Sequence, residues 1–503
     1  MERPRCQKIG LNHKQLKRRK VLKQLGLGLT AGLALPWLSS CADDETGPEV
    51  KYDGVVGIIG AGAAGLYAAD YLIAKGINVK IFEASGRMGG RVRSVRSTDP
   101  VFPDLIADFP IELGADKILG SDSEWGNIAK LLKIPSVDFR EAGMVDKYIL
   151  DEAYKTLAEI EADQDFVALL NFKNNILPGF TGGGSVQAAA ALNSRVNGLL
   201  NTWLGNFYGT SADRISAQAL GEALAMREHD GSELMLRNNP MSNVLLSRFN
   251  KAADKVQLNK AVLEVDYASE VISLSVQDTL TQEVSVEQVD KLIVTVPVSI
   301  LKSGDITFSP ALPADKVTAL SRIGMDAAIR IILEFKRSDF FGPETATILG
   351  GTEAPSYFLS GAGRSNQNKT FSITINGPKA EELTTKTDLE MIEQVLGELD
   401  LVFGPPGNKA SVNIRRKIDD QQNDLGIIYV VQDWTKEPYI KGGQSYPLVG
   451  GTNADRITLA APVEEKLYFA GEATDTTGEF GTVSGALKSG KRAAEEVIES
   501  IVG

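Results

Sequence analysis

The chain has 503 residues, 53 Lys/Arg against 65 Asp/Glu, a formal net charge of −12 and 43% hydrophobic side chains. That length supports more than one core, and the acidic balance disfavours nucleic acid and anionic headgroups as partners. Two cysteines (Cys6, Cys41) and two histidines (His13, His229) leave no disulfide framework, no Cys/His zinc cluster and no nucleophile system built on several histidines. The chemistry must come from a cofactor or from carboxylates, Lys, Arg or Tyr.

The first forty residues read as an address. A basic segment, Lys17-Arg18-Arg19-Lys20, precedes an apolar stretch from Leu25 to Leu38. Fourteen residues are too few to span a bilayer, which takes about 20. A basic region, a short apolar region and small residues after it predict a signal peptide over 1–40. The arginine pair with Val21-Leu22-Lys23 resembles a twin-arginine export signal. Leu38-Ser39-Ser40-Cys41 resembles a bacterial lipobox that makes Cys41 the lipidated N-terminus; the alternative is a plain signal cleaved nearby. Either predicts a bacterial export product, periplasmic or at the cell surface, with 41–51 as a polar tether and a lipid on Cys41 as its one membrane contact. Without residues 1–40 the formal net charge is −20, and a single histidine remains. His229 lies in Arg227-Glu228-His229-Asp230, a pattern of a solvated face.

The next stretch organises the rest. Val55 to Ile59 is a strand-type run, Gly60-Ala61-Gly62-Ala63-Ala64-Gly65 follows, an amphipathic segment runs to Lys75, and Asn78 to Phe82 is a second strand ending at Glu83 and Ala84. Such a turn lets the backbone approach a pyrophosphate at the positive end of a helix. A carboxylate placed as Glu83 is can accept from a ribose diol. Beyond it, helical periodicity is predicted over 123–135, 151–171, 185–208 and 213–228, broken at Gly182-Gly183-Gly184. Strands follow at 260–267, 271–276, 282–286 and 291–296, spaced for a small antiparallel sheet. Ile329 to Phe335 and Phe371 to Ile375 read as strands and 379–401 as a helix. Lys466 to Ala470 is a strand, and a last helix has Val483, Leu487, Gly490, Ala494, Val497 and Ile501 on one face. A glycine turn near each end suggests one long ligand held at both ends, a role that flavin adenine dinucleotide (FAD) fills.

These pieces together resemble the flavin-containing amine oxidases. The resemblance rests on the N-terminal fingerprint; Arg87-Met88-Gly89-Gly90-Arg91; Glu112-Leu113-Gly114-Ala115-Asp116; Lys291 to Pro297; and Leu467 to Glu472 with Gly481-Thr482 to Gly485-Ala486. It implies an α/β fold, with a Rossmann-like FAD-binding domain (52–117, 241–305 and 426–503; a parallel sheet plus a small antiparallel sheet) interleaved with a mixed α+β substrate domain (118–240 and 306–425). It also implies roles. Gly60, Gly62, Ala63, Ala64 and Gly65 surround the pyrophosphate, and Glu83 and Ala84 lie at the adenosine ribose. Arg87, Gly90 and Arg91 lie at the phosphates, and the Val262 backbone meets the adenine. Leu113, Gly114, Ala115 and Asp116 run along the flavin ring. Gly471 and Glu472 lie at the ribityl or phosphate region, and Thr482 and Val483 at the ring's pyrimidine edge.

The departures bear on function. Where the family often carries a lysine that holds a water at the flavin, this chain has Arg330, which stays charged; pairing with a buried carboxylate is the alternative role. Gly442-Gly443-Gln444 lacks the cysteine that bonds flavin in monoamine oxidases, so the FAD is expected to be non-covalent. The cage tyrosines fall at Ser445 and Thr482, leaving Trp434, Tyr439 and Tyr446 as candidate aromatic walls. Lys117 stands where amino-acid oxidases grip a carboxylate, with Asp116 beside it to attract an ammonium; a surface ion pair is the alternative. The expected reaction is oxidation of a C–H bond next to an amine of a small molecule (amine or amino acid), with O2 or another acceptor taking the electrons. The site candidates are Arg330, Lys117, Asp116 and Trp434. Two other readings stand: a desaturase or porphyrinogen-oxidase-like enzyme on an apolar substrate, and a non-catalytic protein that keeps FAD as a structural element.

Overall fold

The computed structural model describes residues 49–102, 104–337, 341–342, 344–365, 369–403 and 409–503. The export signal, Cys41 and most of the tether lie outside the described residues. No helix among the described residues is long and apolar enough to cross a membrane.

The first strand, β1 (Val55–Ile59), is the middle of a five-stranded parallel sheet. Its neighbours are β2 (Asn78–Phe82), reached through helix α1 (Ala63–Ala74), and Lys291–Val294, more than 200 residues away in sequence. Val256–Gln257 and Leu467–Phe469 complete the two edges, both parallel. Buried on both faces, these strands need apolar runs rather than alternation, which is how β1 reads. The C-terminal helix, Val483–Val502, lies against α1. Gly490 makes that approach possible: a Cβ there would stand 2.3 Å from the Ala64 carbonyl oxygen. Leu487, Ala494 and Val497 of the predicted face are fully buried in the same core.

Lys260–Asp266, Ile272–Asp278 and Val284–Val289 form the expected antiparallel sheet, joined by Thr307–Ser309. Lys291–Val294 leaves that meander for the parallel sheet.

The other large element is a seven-stranded sheet in the order Tyr429–Asp433, Ala328–Glu334, Thr370–Asn376, Ser356–Leu359, Thr345–Leu349, Val145–Leu150, Ala153–Lys155. Every residue of Ala328–Glu334 is buried. Helix Asp388–Val402 covers one face with Met391, Ile392, Val395 and Leu399. Its start is set by Thr387, whose hydroxyl accepts from Glu390 N while the Glu390 carboxylate accepts from Thr387 N, a reciprocal cap.

Three predicted helices are divided. Residues 151–155 form half of a hairpin: Leu150 pairs with Ala153, and Asp151 and Glu152 both take positive φ (54° and 56°). That is a two-residue turn with the twist hairpins favour, made by two acidic residues instead of Asn-Gly, so it escaped notice. The stretch 185–208 breaks at Ala191, in the left-handed region at φ 47°, and again at Gly205. The stretch 379–401 becomes Pro378–Leu383 and Asp388–Val402, parted at the Thr387 cap.

Candidate active site

A cavity of about 880 Å³ runs between the parallel sheet, the antiparallel sheet and the seven-stranded sheet. One end is the glycine turn. Gly65 fits only as glycine, because a Cβ there would fall 2.0 Å from the Gly60 carbonyl oxygen. Gly62 is different: a Cβ would meet nothing within 4 Å, so its surface is open cavity. Gly62 caps α1 without a side chain, and the first turn carries no acid, so the positive helix end faces the cavity uncompensated. Such an end is suited to a pyrophosphate.

Glu83 closes this end. One carboxylate oxygen accepts from Ala61 N (2.8 Å), the other from Ser85 N (2.9 Å) and Ser85 Oγ (2.7 Å). The group is thereby fixed in orientation, with lone pairs left for a ribose diol. Ala84 and the Val262 backbone line the same end, and the partner strand Thr307–Ser309 pairs only from Glu264 onward. Arg87 donates to the Gly90 carbonyl oxygen (2.7 Å) and lies over the Trp434 ring (5.8 Å).

At mid-cavity Glu472 ties distant segments together. It accepts from Arg91 Nη1 (2.8 Å), Ser445 N (3.1 Å), Ser445 Oγ (2.6 Å) and Gly481 N (2.8 Å). Burial works against its charge, and Arg91 and Arg456 outweigh that, holding the carboxyl below its usual range. Gly481 leads directly into Thr482, whose hydroxyl accepts from Gly485 N (2.9 Å) and starts the C-terminal helix. Thr482, Val483 and Ser484 face the cavity. A helix N-terminus there stabilises negative charge, as a reduced flavin ring requires.

The far end opens on the face of the seven-stranded sheet. Arg330 donates to Asp116 Oδ2 (2.7 Å), Ser372 Oγ (2.7 Å) and the Gly114 carbonyl (2.8 Å). Pairing with a carboxylate, that of half-buried Asp116, is thus the arrangement present. Burial opposes the charge of Asp116, and Arg330 with Lys117 holds its carboxyl low. Lys117 is engaged as well: Nζ reaches Glu233 Oε2 (2.7 Å) and lies over the rings of Phe358 (4.6 Å) and Phe139 (5.2 Å). Trp434 donates from Nε1 to the Leu113 carbonyl (2.9 Å).

The structure therefore brings Gly60, Gly62, Ala63, Ala64, Glu83, Ala84, Arg87, Gly90, Arg91, Gly114, Ala115, Asp116, Lys117, Val262, Arg330, Trp434, Gly471, Glu472, Thr482 and Val483 to one wall. Gly65 sits beneath the turn, and the Leu113 side chain is buried among Ile332 and Val430. Tyr439 lines the cavity, but Tyr446 does not: its ring is in the core and its hydroxyl donates to Asp326 (2.8 Å). Ser445 is likewise turned inward, to Glu472 and Arg456. His229 is not on the wall. Sequence reading missed Arg140, Asp146, Trp203, Phe207, Tyr208, Arg227, Glu233 and Phe480, all of which are. None carried a local signal: Glu233, for one, reaches Lys117 only through the pairing of Leu119 with Glu233 across the sheet.

A family model described as flavin containing amine oxidoreductase matches residues 63–197 and 191–498. The chain belongs to that family. It is similar to lysine-specific histone demethylase 1 homolog 1 of Oryza sativa subsp. japonica, at 26% identity over 88% of this chain and 52% of that protein. It thus spans about half the length of the demethylases it matches. Polyamine oxidase 4 of the same plant is 24% identical, over 94% of this chain and 93% of that one. Among solved structures, cyclohexylamine oxidase from Brevibacterium oxydans IH-35A superposes with a TM-score of 0.70 at 18% identity, covering 90% of this chain and 100% of that one. Putrescine oxidase bound to putrescine gives 0.69 at 16%, covering 89% and 99%. The likeness to both structures is one of fold. FAD is the family's cofactor, and the cradle at Gly62 and Glu83 fits it.

Proposed function

We propose that the protein oxidises the C–H bond beside the nitrogen of a small amine or amino acid. The observation that carries this is one continuous cavity, from Glu83 through Glu472 to Thr482, opening on a chamber walled by Asp116, Arg330 and Trp203. FAD, held by the Gly60–Gly65 turn, Glu83 and the Thr482 helix end, would supply a hydride acceptor for the amine, with O2 as the terminal acceptor; residues 42–503 contain no cysteine to bond the flavin. The chain's own residues do the rest. The first turn of α1 and Arg87 hold phosphate charge, the C-terminal helix end faces developing negative charge, and aromatic walls exclude water.

The chamber also carries Lys117, Glu233, Arg140 and Asp146, a charged lining suited to a polar substrate; this weighs against the desaturase reading. Export as a lipoprotein through Cys41 belongs to the same proposal. The test is anaerobic mixing of FAD-loaded protein with a panel of amines and amino acids, followed by air. Loss of flavin absorbance and its return with peroxide are expected; a protein that no amine bleaches overturns the reading.

A further inference from the structure

On the face of the seven-stranded sheet that floors the chamber, the charged side chains are committed to one another. Asp116 is held by Arg330 and Lys117 by Glu233, at 2.7 Å each, and Arg140 stands 3.6 Å from Asp146 and 3.7 Å from Glu233. The groups left open are neutral. Thr374 pairs across strands with Arg330 on one side and with Ser356 on the other, and Ser356 pairs with Leu349. Residues paired in this way share a face, so Arg330, Thr374, Ser356 and Leu349 form one row, and all four line the cavity.

Burial singles out the two hydroxyls in that row. Ser356 is the one residue of Ser356–Leu359 that is not buried, and Thr370–Asn376 is buried except at Thr374 and Asn376. Ser356 Oγ and Thr374 Oγ1 have no hydrogen-bond partner among the described residues, and neither is sealed from the cavity as the partnerless Asp146 Oδ1 is. Their backbones are held in place. Asn206 donates from Nδ2 to the Thr374 carbonyl (3.0 Å) and accepts at Oδ1 from Asn376 N (2.8 Å), while Thr202 donates to the Pro355 carbonyl beside Ser356 (2.8 Å). The same segment brings Trp203 and Phe207 to the wall, and Leu349 and Phe358 line it from the sheet.

Two fixed hydroxyls in an apolar corner select what lies on them. An apolar ligand surface would strip them of water and return no hydrogen bond, which costs affinity. A second ammonium would call for a carboxylate, and those of the chamber are already paired. An alcohol suits both residues, because its one O–H donates once and its oxygen accepts twice, as theirs do. We infer that Ser356 and Thr374 form a subsite for a hydroxyl group carried on the amine substrate. Along the row Thr374 is about 5 Å and Ser356 about 10 Å from Arg330, by the spacing of strands, so this hydroxyl lies several carbons from the oxidised one. The substrate is then a hydroxylated amine, an amino alcohol or a phenolic amine. This rests on the amine-oxidation reading.

The test uses the FAD-loaded full chain and pairs of compounds that differ by the hydroxyl: 5-amino-1-pentanol with pentylamine, 6-amino-1-hexanol with hexylamine, tyramine with 2-phenylethylamine. Half-saturation for anaerobic flavin reduction is expected to be about tenfold or more lower for the hydroxylated member of at least one pair, the scale of two hydrogen bonds. In a Ser356→Ala/Thr374→Val double variant that preference disappears, and either single variant loses part of it. Equal half-saturation within every pair in the parent protein overturns the inference, whatever the variants do. So does a preference that survives the double variant, and so does a loss that falls equally on both members of a pair. Separately, phenol and fluorobenzene are titrated against the flavin absorbance: phenol should bind about tenfold tighter to the parent and lose that lead in the double variant. If no compound reduces the flavin, amine oxidation falls, and the phenol and fluorobenzene titrations alone decide for or against the hydroxyl subsite.

Discussion

Arg330 and Asp116 form an ion pair of 2.7 Å on the cavity wall, joining a fully buried strand of the seven-stranded sheet to the segment that leaves the FAD-binding fingerprint region. The same guanidinium holds Ser372 and the Gly114 carbonyl, so its three acceptors come from two distant segments. Arg330→Met is expected to destabilise the protein by about 1–3 kcal/mol, because it leaves half-buried Asp116 and the Gly114 carbonyl without their main partner. Adding Asp116→Asn should recover part of that loss, and a double-mutant cycle by thermal or denaturant unfolding measures the coupling. Additive losses, with the double variant losing the sum of the two single losses, would show that the pair is not coupled.

Gly62 and Gly65 should separate cofactor binding from folding. Gly62 has ordinary backbone geometry (φ −81°) and open space where a side chain would go. Gly62→Val is expected to fold and to purify with little or no FAD, since its side chain takes the space of the pyrophosphate. Gly65→Ala must move the Gly60 carbonyl and should lose stability as well. Flavin-to-protein absorbance ratios and melting curves with and without added FAD distinguish the two.

Glu472 is predicted to link the phosphate end of the site to the C-terminal helix end. Glu472→Leu removes the acceptor of Arg91, Ser445 and Gly481 together and leaves buried donors unmatched. A fall of about a hundredfold or more in FAD affinity is expected, from the loss of about two charge-assisted hydrogen bonds. Fluorescence titration of the stripped protein with FAD reads it directly.

Glu112 gives a pH dependence. It is buried, accepts from Ser94 Oγ and Met241 N, and burial pushes its carboxyl up to about 7. A folded-state value above the unfolded one means the folded protein holds the proton longer. Its contribution is therefore complete below pH ~4.5 and is lost as pH rises through about 7. In Glu112→Gln this loss should vanish, flattening unfolding free energy between pH 5 and 8 by about 2–3 kcal/mol relative to the parent. Denaturant unfolding at a series of pH values checks it, and parallel curves would count against it.

How much of this was legible beforehand depended on whether a residue's role is local. The turn at Gly60–Gly65, Glu83 and the last helix announce themselves, because a glycine turn, a strand end and a 3.6-residue stripe are written in neighbouring residues. Amine-oxidase membership followed from five such local pieces in order. The hairpin at Asp151-Glu152 was lost because acidic residues in a left-handed turn carry little signal.

The chamber is another matter. Lys117 and Glu233 are 116 residues apart, Arg330 and Asp116 are 214 apart, and Arg227 meets Gly478 across 251. Side chains so separated are paired or left free by how three sheets pack, and periodicity holds no information about that. The sequence by itself determined the cofactor, the family and the strand–turn–helix units that hold each end of the ligand. The tertiary structure decided which charges are neutralised on the cavity wall, turning Tyr446 and Ser445 inward and committing Lys117 and Arg330 to carboxylates.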